Sequence, residues 1–576
     1  MTFRFPPGLP VFACALALFF GGSFPMPVYA QPADPALTIQ PDKAFFRPGE
    51  PATFTVTASQ GARVEATVTH LLDEVARLEA PLEDGRAVLT WQPPAEAPRG
   101  YGLALRALDA SGAEIATASA AFDVLESWLQ APRYGFLSEF APGRDDIDAT
   151  MAWAARYHLT GLQFYDWQYR HEQLLPPDDP YTDLLGRRLS LDTVTRLIDA
   201  AHARNIAAMP YTAIYGASPA FYEAHPDWGL FQADDVVFDF ADGLLKIMDP
   251  TPGSPWADHL LDQFAQVLDR TAFDGIHLDQ YGAPKTGRNR AGEPVDLAEV
   301  FPAFIDQAAA LVKEKRDGGA MIFNAVGNWP VETVAPSDQD AVYIEVWPPY
   351  RDFMDLHQIV VQAQALGGGK PVIIAAYIHP NNAPNVRLAN AVIFGSGAYH
   401  LELGEPGGML ADPYFPKFGQ MNAEMQAAMQ RLYDFVVRYE EVLSAGTWDA
   451  TEARAGALAI DGVKTDGTLS KNRVAVIVRQ GNGRETFSLV NFMGLAHGKW
   501  LETLFAGPQP QRDLAVTLRV ERPVERVWLA SPDAADIAPQ TVAFEAGDDA
   551  SGAFIRFTVP SLDAWTMIVV EYESGT

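Results

Sequence analysis

The sequence predicts a multidomain protein: a central (β/α)8 TIM barrel flanked by an N-terminal immunoglobulin-like β-sandwich and a C-terminal β-sandwich. Three observations predict it. Between residues 128 and 445 short apolar strands alternate with helical stretches, the signature of a parallel α/β domain. Short alternating runs broken by turn residues precede that stretch and return after it, the pattern of antiparallel sheets. Finally, a chain of 576 residues is too long for one hydrophobic core.

Residues 1–30 read as a secretory signal peptide, which predicts a secreted or periplasmic protein. Arg4 is their only charge, residues 11–20 form an apolar run, and Val28-Tyr29-Ala30 ends in the small-residue style of a cleavage site. The run is too short to cross a bilayer, and no later stretch reaches the length of a membrane span. Cys14, the single cysteine, lies inside this run and too close to Arg4 for a lipid-attachment signal. Its removal with the leader excludes thiol catalysis and Cys-ligated metals. Losing Arg4 moves the net charge from -31 to -32. An envelope this acidic repels nucleic acid and polyanionic glycans, and suits a neutral or cationic substrate. No protein partner is predicted.

Residues 31–127 form the first sandwich. Ala52-Thr53-Phe54-Thr55-Val56-Thr57 and Val64-Glu65-Ala66-Thr67-Val68 alternate in strand fashion, and Pro48-Gly49, Asp84-Gly85 and Ser111-Gly112 mark turns. Residues 128–445 hold eight strand candidates, starting near Tyr134, Leu162, Ile206, Gly275, Ala320, Ala341, Val372 and Val392. Helices are predicted over 147–157, 191–204, 255–271 and 300–314. A doubly wound sheet competes, but no glycine-rich phosphate loop follows the first strand. Residues 446–576 return to short strands, of which Val474-Ala475-Val476-Ile477-Val478 and Met567-Ile568-Val569-Val570-Glu571 are the clearest.

A barrel of this kind carries its chemistry at the C-terminal ends of its strands. Strand one ends in Leu137-Ser138-Glu139-Phe140, and strand two in Phe164-Tyr165-Asp166-Trp167 with Tyr169, Arg170 and His171 behind it. Strand four ends in Leu278-Asp279-Gln280-Tyr281, and strand six in Ile344-Glu345-Val346-Trp347. Strand seven ends in Ala376-Tyr377-Ile378-His379, and strand eight in Tyr399-His400-Leu401-Glu402. Acids and aromatics thus collect on one rim, the composition of a sugar cleft, because aromatic faces stack on pyranose rings while carboxylates and amides bind hydroxyls. Glycosidic cleavage needs an acid for the leaving oxygen and a second carboxylate as nucleophile or base. Asp279 and Glu345, two strands apart at matching depth, are the candidate pair. The candidate substrate-binding set is Tyr165, Asp166, Trp167, His171, Tyr211, Gln280, Tyr281, Asn324, Trp347, Tyr377, His379 and Glu402. Glu139, Asp166 and Glu402 stand as third acids, and His171, His379 and His400 bind hydroxyls or pack in the rim. Asp274 precedes its strand and reads as a loop cap. No His-x-x-x-His pair and no EF-hand loop occurs, so no metal or cofactor is expected.

The runs Tyr134-Gly135-Phe136-Leu137-Ser138, Gln163-Phe164-Tyr165-Asp166-Trp167-Gln168-Tyr169-Arg170-His171, Leu278-Asp279 and Glu345-Val346-Trp347 resemble glycoside hydrolase family 66, the family of dextranases and cycloisomaltooligosaccharide glucanotransferases. The resemblance covers the barrel and agrees in domain order. It implies a retaining endo-acting enzyme on the α-1,6-glucan dextran, with Asp279 as nucleophile and Glu345 as acid/base. It also implies that members specialised for cyclisation carry a carbohydrate-binding module between strands seven and eight. The connection expected here is residues 379–390, far too short for a folded module. The strand-four neighbourhood, Phe273-Asp274-Gly275-Ile276-His277, departs from the Gly- and Trp-rich form of streptococcal-type members. The alternatives are a glucanotransferase of the same family, an α-glycosidase of another barrel family, and a glycan-binding surface protein that had lost its chemistry. The presence of both carboxylates argues against the last.

Overall fold

The computed structural model describes residues 36–573; the signal peptide and Cys14 lie outside the described residues. Eight parallel strands form its centre: Tyr134–Leu137, Gly161–Phe164, Ala207–Ala213, Gly275–Asp279, Ala320–Val326, Ala341–Glu345, Val372–Ala375 and Tyr399–His400. Each pairs with the next in chain order. A hydrogen bond from Phe136 N to Leu403 O, 3.1 Å long, links strand one to the segment after strand eight and nearly closes the ring. These strands are largely apolar because both faces are covered, by side chains inside the barrel and by helices outside. Tyr134–Leu137, Gly161–Phe164 and Val372–Ala375 are buried along their whole length.

The helices follow from ordinary signals. Pro255–Arg270 starts at Ser254, whose side chain accepts from Ala257 N, with proline in the first turn where no N–H is needed. Leu191–His202 is capped in the same way by Ser190. Asp296 caps Leu297–Lys315 through Ala298 N.

One expectation is corrected. Val392 does not start strand eight; it lies inside helix Ala383–Gly395, and the strand is only Tyr399–His400. The run Ala391-Val392-Ile393-Phe394 is buried on every side, so it lacks the polar face that marks a surface helix, and a continuous apolar run reads equally as strand. The connection expected over 379–390 is therefore the start of the barrel's own helix. No further folded unit stands between strands seven and eight.

Antiparallel sheets lie on both sides of the barrel in sequence. Leu37–Pro41, Ala52–Ala58 and Arg86–Trp91 form one sheet, and Asp73–Pro81, Arg63–His70, Arg99–Leu108 and Glu114–Val124 a second. Phe46, Phe54, Tyr101 and Phe122 fill the core between them. After the barrel, the sheet containing Val474–Gly481, Arg484–Asn491 and Trp565–Tyr572 is buried on both faces. Val474, Val476 and Val478 face a four-stranded sheet, while Ala475 and Ile477 join the barrel core. That double burial explains the unbroken apolar runs in these strands. Polar contacts lock the parts together. Asp434 receives Arg156 through two bonds of 3.0 Å, His158 at 2.8 Å and Ala121 N at 3.2 Å. The wholly buried Arg133 and Asp123 approach to 2.9 Å.

Candidate active site

Side chains alternate along a strand, so residues two apart share the barrel interior. In strand four these are His277 and Asp279, and in strand six Tyr343 and Glu345. His277, Tyr343 and Tyr134 make a packed floor: the Tyr134 ring lies 5.8 Å from the imidazole at 7°, and Tyr343 meets it edge-on at 4.8 Å. Burial pushes the His277 pKa down to about 3, so the floor is neutral. One layer higher, Asp279 and Glu345 face the opening.

Three donors serve the four carboxylate oxygens. Tyr211, from strand three, donates to Asp279 Oδ2 at 2.7 Å. Tyr377, just past strand seven, donates to Glu345 Oε1 at 2.6 Å. Asn324, from strand five, reaches both acids with one nitrogen, at 2.7 Å to Asp279 Oδ1 and 3.1 Å to Glu345 Oε2. Two oxygens that share one donor this way stand less than about 6 Å apart, an upper bound compatible with the roughly 5–5.5 Å of a double-displacement pair. Burial raises the pKa of both carboxyls, and for Asp279 the charge of Glu345 adds to it, lifting it to about 7. The bonds from Tyr211, Asn324 and Tyr377 pull the other way. The two acids titrate as a pair, and near neutrality the pair holds a proton.

The expected sugar-binding residues divide. Tyr165 lies at the opening, stacked on Phe415 at 4.2 Å and 13°, and 4.9 Å from the Tyr211 ring. Asp166 has a positive φ of 52°, a left-handed backbone that Asp tolerates better than most residues. Burial lifts its pKa to about 6, against the pull of Arg187. Tyr281 and Trp347 are half-buried beside the pair, with Trp347 6.0 Å from the Tyr377 ring. His379 is exposed on the loop after strand seven.

Three members of the set, Trp167, Glu402 and Gln280, are packing residues rather than cleft residues. Trp167 is fully buried, packs 4.9 Å from Phe273 and donates to Tyr211 O at 3.2 Å. It turns away from Tyr165's side because the chain has left the strand and the left-handed backbone of Asp166 breaks the alternation. Glu402 is buried among Asn390, Tyr433 and His400, at 3.1, 3.4 and 3.3 Å. Gln280 is buried and braces the strand-five end, donating to Asn324 O and Trp329 O at 3.3 and 3.2 Å. His171 is half-buried beside Gln168 at 3.4 Å, and desolvation lowers its pKa to about 4. His400 also packs, bonded to Asn390 and Ala376 O. Asp274 caps its strand from below, accepting from Ala208 N at 2.7 Å and His202 at 2.8 Å.

Sequence reasoning missed two contributors. Glu405 is buried, takes Arg144 at 2.7 Å and the backbone N–H groups of Ser138 and Glu139 at 3.0 and 3.1 Å, and so ties the loops after strands one and eight together. Phe415 backs Tyr165 from the loop after strand eight. Neither follows a strand directly, so the strand-end rule does not reach them. A separate cavity of about 290 Å³ lies between Pro380, Asn390, Met429 and Trp565, away from the carboxylate pair.

A barrel that presents two close carboxylates among tyrosines, an amide and an indole has the equipment of a carbohydrate-active enzyme. Comparison makes the assignment specific. The chain belongs to glycosyl hydrolase family 66, whose model matches residues 41–569. It is 24% identical to a cycloisomaltooligosaccharide glucanotransferase of Niallia circulans, over 92% of this chain and 71% of that one. Among solved structures it resembles a Paenibacillus sp. cycloisomaltooligosaccharide glucanotransferase complexed with cycloisomaltoheptaose, with a TM-score of 0.86 and 23% identity over 92% of this chain and 99% of that one. A more distant likeness, an α-L-fucosidase of Paenibacillus thiaminolyticus, has a TM-score of 0.51 and 12% identity over 77% and 100% of the chains.

Proposed function

We propose that this protein is a secreted, retaining endo-α-1,6-glucanase that degrades dextran to linear isomaltooligosaccharides. Asp279 attacks the anomeric carbon while Glu345 gives its proton to the departing glycosidic oxygen. The bond to the leaving chain breaks as the Asp279 ester forms with inverted configuration. Glu345, now ionised, takes a proton from water, whose oxygen displaces Asp279 and restores the α configuration. The observation that carries the reading is the shared contact of Asn324 with both acids, which holds them close and supports a double-displacement pair. Tyr211 and Asn324 stabilise the Asp279 carboxylate for attack. Tyr165, Tyr281, Trp347 and Tyr377 supply sugar-contacting surface, and Asp166 a hydroxyl-binding carboxylate. Membership of the family supports the α-glucan substrate.

A glucanotransferase that closes cyclic products is the second reading, favoured by the names of the relatives. Against it stands the segment between strands seven and eight, which holds helix Ala383–Gly395 and no further module. Without a tethered acceptor, water is the dominant competitor for the glycosyl-enzyme. The endo-hydrolytic reading is tested by viscometry. Dextran viscosity falls well before free glucose accumulates, and α-1,4-glucan is left intact. Rapid glucose release at unchanged viscosity would instead identify an exo-acting enzyme.

A further inference from the structure

The loop after barrel strand three folds into an arm over the rim. Gly216–Ala217, Asp239–Phe240 and Leu245–Ile247 form its small antiparallel sheet. Its turn is tight: Ala241, Asp242 and Gly243 all have positive φ, at 51, 55 and 88°. The arm is braced from the side. Phe231 and Arg288 exchange two backbone hydrogen bonds of 2.8 and 2.9 Å, joining it to the hairpin of Thr286–Arg288 and Pro294–Asp296 that follows strand four.

This arm lays Phe240 on Tyr281. The two rings stack at 4.1 Å with 15° between their planes. Tyr281 is itself fixed: its N–H donates to Tyr215 Oη at 2.8 Å, and its ring meets Tyr215 at 5.3 Å. Gly216 makes room for it, since a β-carbon there would sit 2.5 Å from the Tyr281 hydroxyl. Phe240 nevertheless stays 39% exposed. One face is spent on Tyr281, which lies two residues after Asp279 in the chain, and the rest of the residue is left open to solvent. Leu245, its cross-strand partner, turns into the core at 3% exposure, so the arm has an apolar position to bury and still presents Phe240 outward.

We propose that the Phe240–Tyr281 stack is an additional subsite, which carries one glucosyl ring of the glucan chain against the outer face of Phe240. A flat aromatic ring stacked on Tyr281, which follows Asp279 by two residues, matches the apolar face of a pyranose, and its backing spares the entropy of ordering it on binding. The platform rests on the α-glucanase reading and adds to it: it makes affinity depend on chain length, since only a substrate long enough to reach the arm gains the contact.

The test uses the full-length enzyme with Phe240→Ala, Phe240→Leu and Phe240→Trp. For Phe240→Ala, KM on dextran rises roughly three- to tenfold, the range expected for one lost aromatic contact. The loss in kcat/KM on a short aryl α-glucoside that cannot reach the arm is smaller than the loss on dextran. Phe240→Trp restores the dextran KM. Phe240→Leu, which keeps the arm packed without a flat ring, does not. An unchanged dextran KM in Phe240→Ala, or an equal loss on both substrates, or full rescue by leucine, overturns the platform. Should wild type prefer another α-glucan, the function proposed above fails, and the same chain-length comparison on that glucan still decides the platform.

Discussion

Asp279 and Glu345 are joined through a single nitrogen, the Asn324 amide, which lies 2.7 Å from one and 3.1 Å from the other. An NH2 group placed between two buried acids orients both and offsets some of their repulsion without adding a charge. The remaining oxygens take one tyrosine hydroxyl each, Tyr211 and Tyr377. Every lone-pair direction used this way favours the ionised form, while burial favours the protonated one. The balance leaves the pair poised near neutrality, where one acid must be charged and the other not.

If Asp279 is the nucleophile, Asp279→Gly lowers dextran turnover by at least about 10⁴-fold, the scale of losing a covalent catalyst. The glycine leaves room for a small anion. Added azide then restores activity with an activated substrate and yields a glycosyl azide of the anomeric configuration opposite to the substrate. NMR of the product reads this directly. Near-wild-type activity in Asp279→Gly sinks the role assignment.

Glu345→Gln keeps the shape and the Tyr377 contact but cannot give up a proton. Dextran cleavage falls by about 10²–10⁴-fold, the usual worth of general acid catalysis. Aryl glucosides whose leaving group needs no proton are largely spared in the first chemical step. Burial raises the Glu345 pKa, so the wild-type rate on dextran declines on the alkaline side as this proton is lost. With the activated substrate and Glu345→Gln, that decline disappears from the glycosylation step. Equal loss on both substrate types argues for a structural role instead.

The pair also costs stability, with a definite sign. Asp279 is raised from 3.8 to about 7, by burial first and by Glu345 second. A raised carboxyl pKa means that the folded chain binds the proton more tightly than the unfolded one. Below about pH 4 both states are protonated and nothing is lost; between that value and about 7 stability falls as pH rises. Asp279→Asn removes the charge, and its gain over wild type therefore grows from near zero at pH 4 to a few kcal/mol, about 2–4, at pH 7.5. Thermal melts across that range show it as a Tm difference that widens with pH. A difference that is flat, or that narrows, means that Asp279 is not buried against Glu345 in this way.

Linear isomaltooligosaccharides dominate the products at low dextran concentration. The glycosyl-enzyme meets water at roughly 55 M, and the chain between strands seven and eight supplies no module to hold an acceptor close. At high substrate some transglycosylation remains, because a sugar hydroxyl can also reach the ester. Mass spectrometry separates the series, since a ring is one water lighter than its linear counterpart. A predominance of the lighter series would favour the glucanotransferase reading.

The barrel, and the places of Asp279 and Glu345 on it, were legible in the sequence, because both are set by local rules. Short apolar strands with helices between them specify a parallel ring, and a residue at a strand's C-terminal end with inward parity points to the opening. The same parity put Asp274 below the sheet, where it caps Ala208. What failed were positions just beyond the strands. Tyr165 and Trp167 look alike in sequence, yet one lines the opening and the other is buried on Phe273. Glu402 reads as a rim acid and lies instead among Asn390, His400 and Tyr433. Val392 read as a strand because a helix buried on all sides loses its period. Phe240, Phe415 and Glu405 reach the rim only through loops that fold back, by paths that depend on the neighbouring loops they pack against. Parity along a strand is a property of two adjacent peptides. The lining of the cleft is a property of segments far apart in the chain, and only the folded ring brought them together.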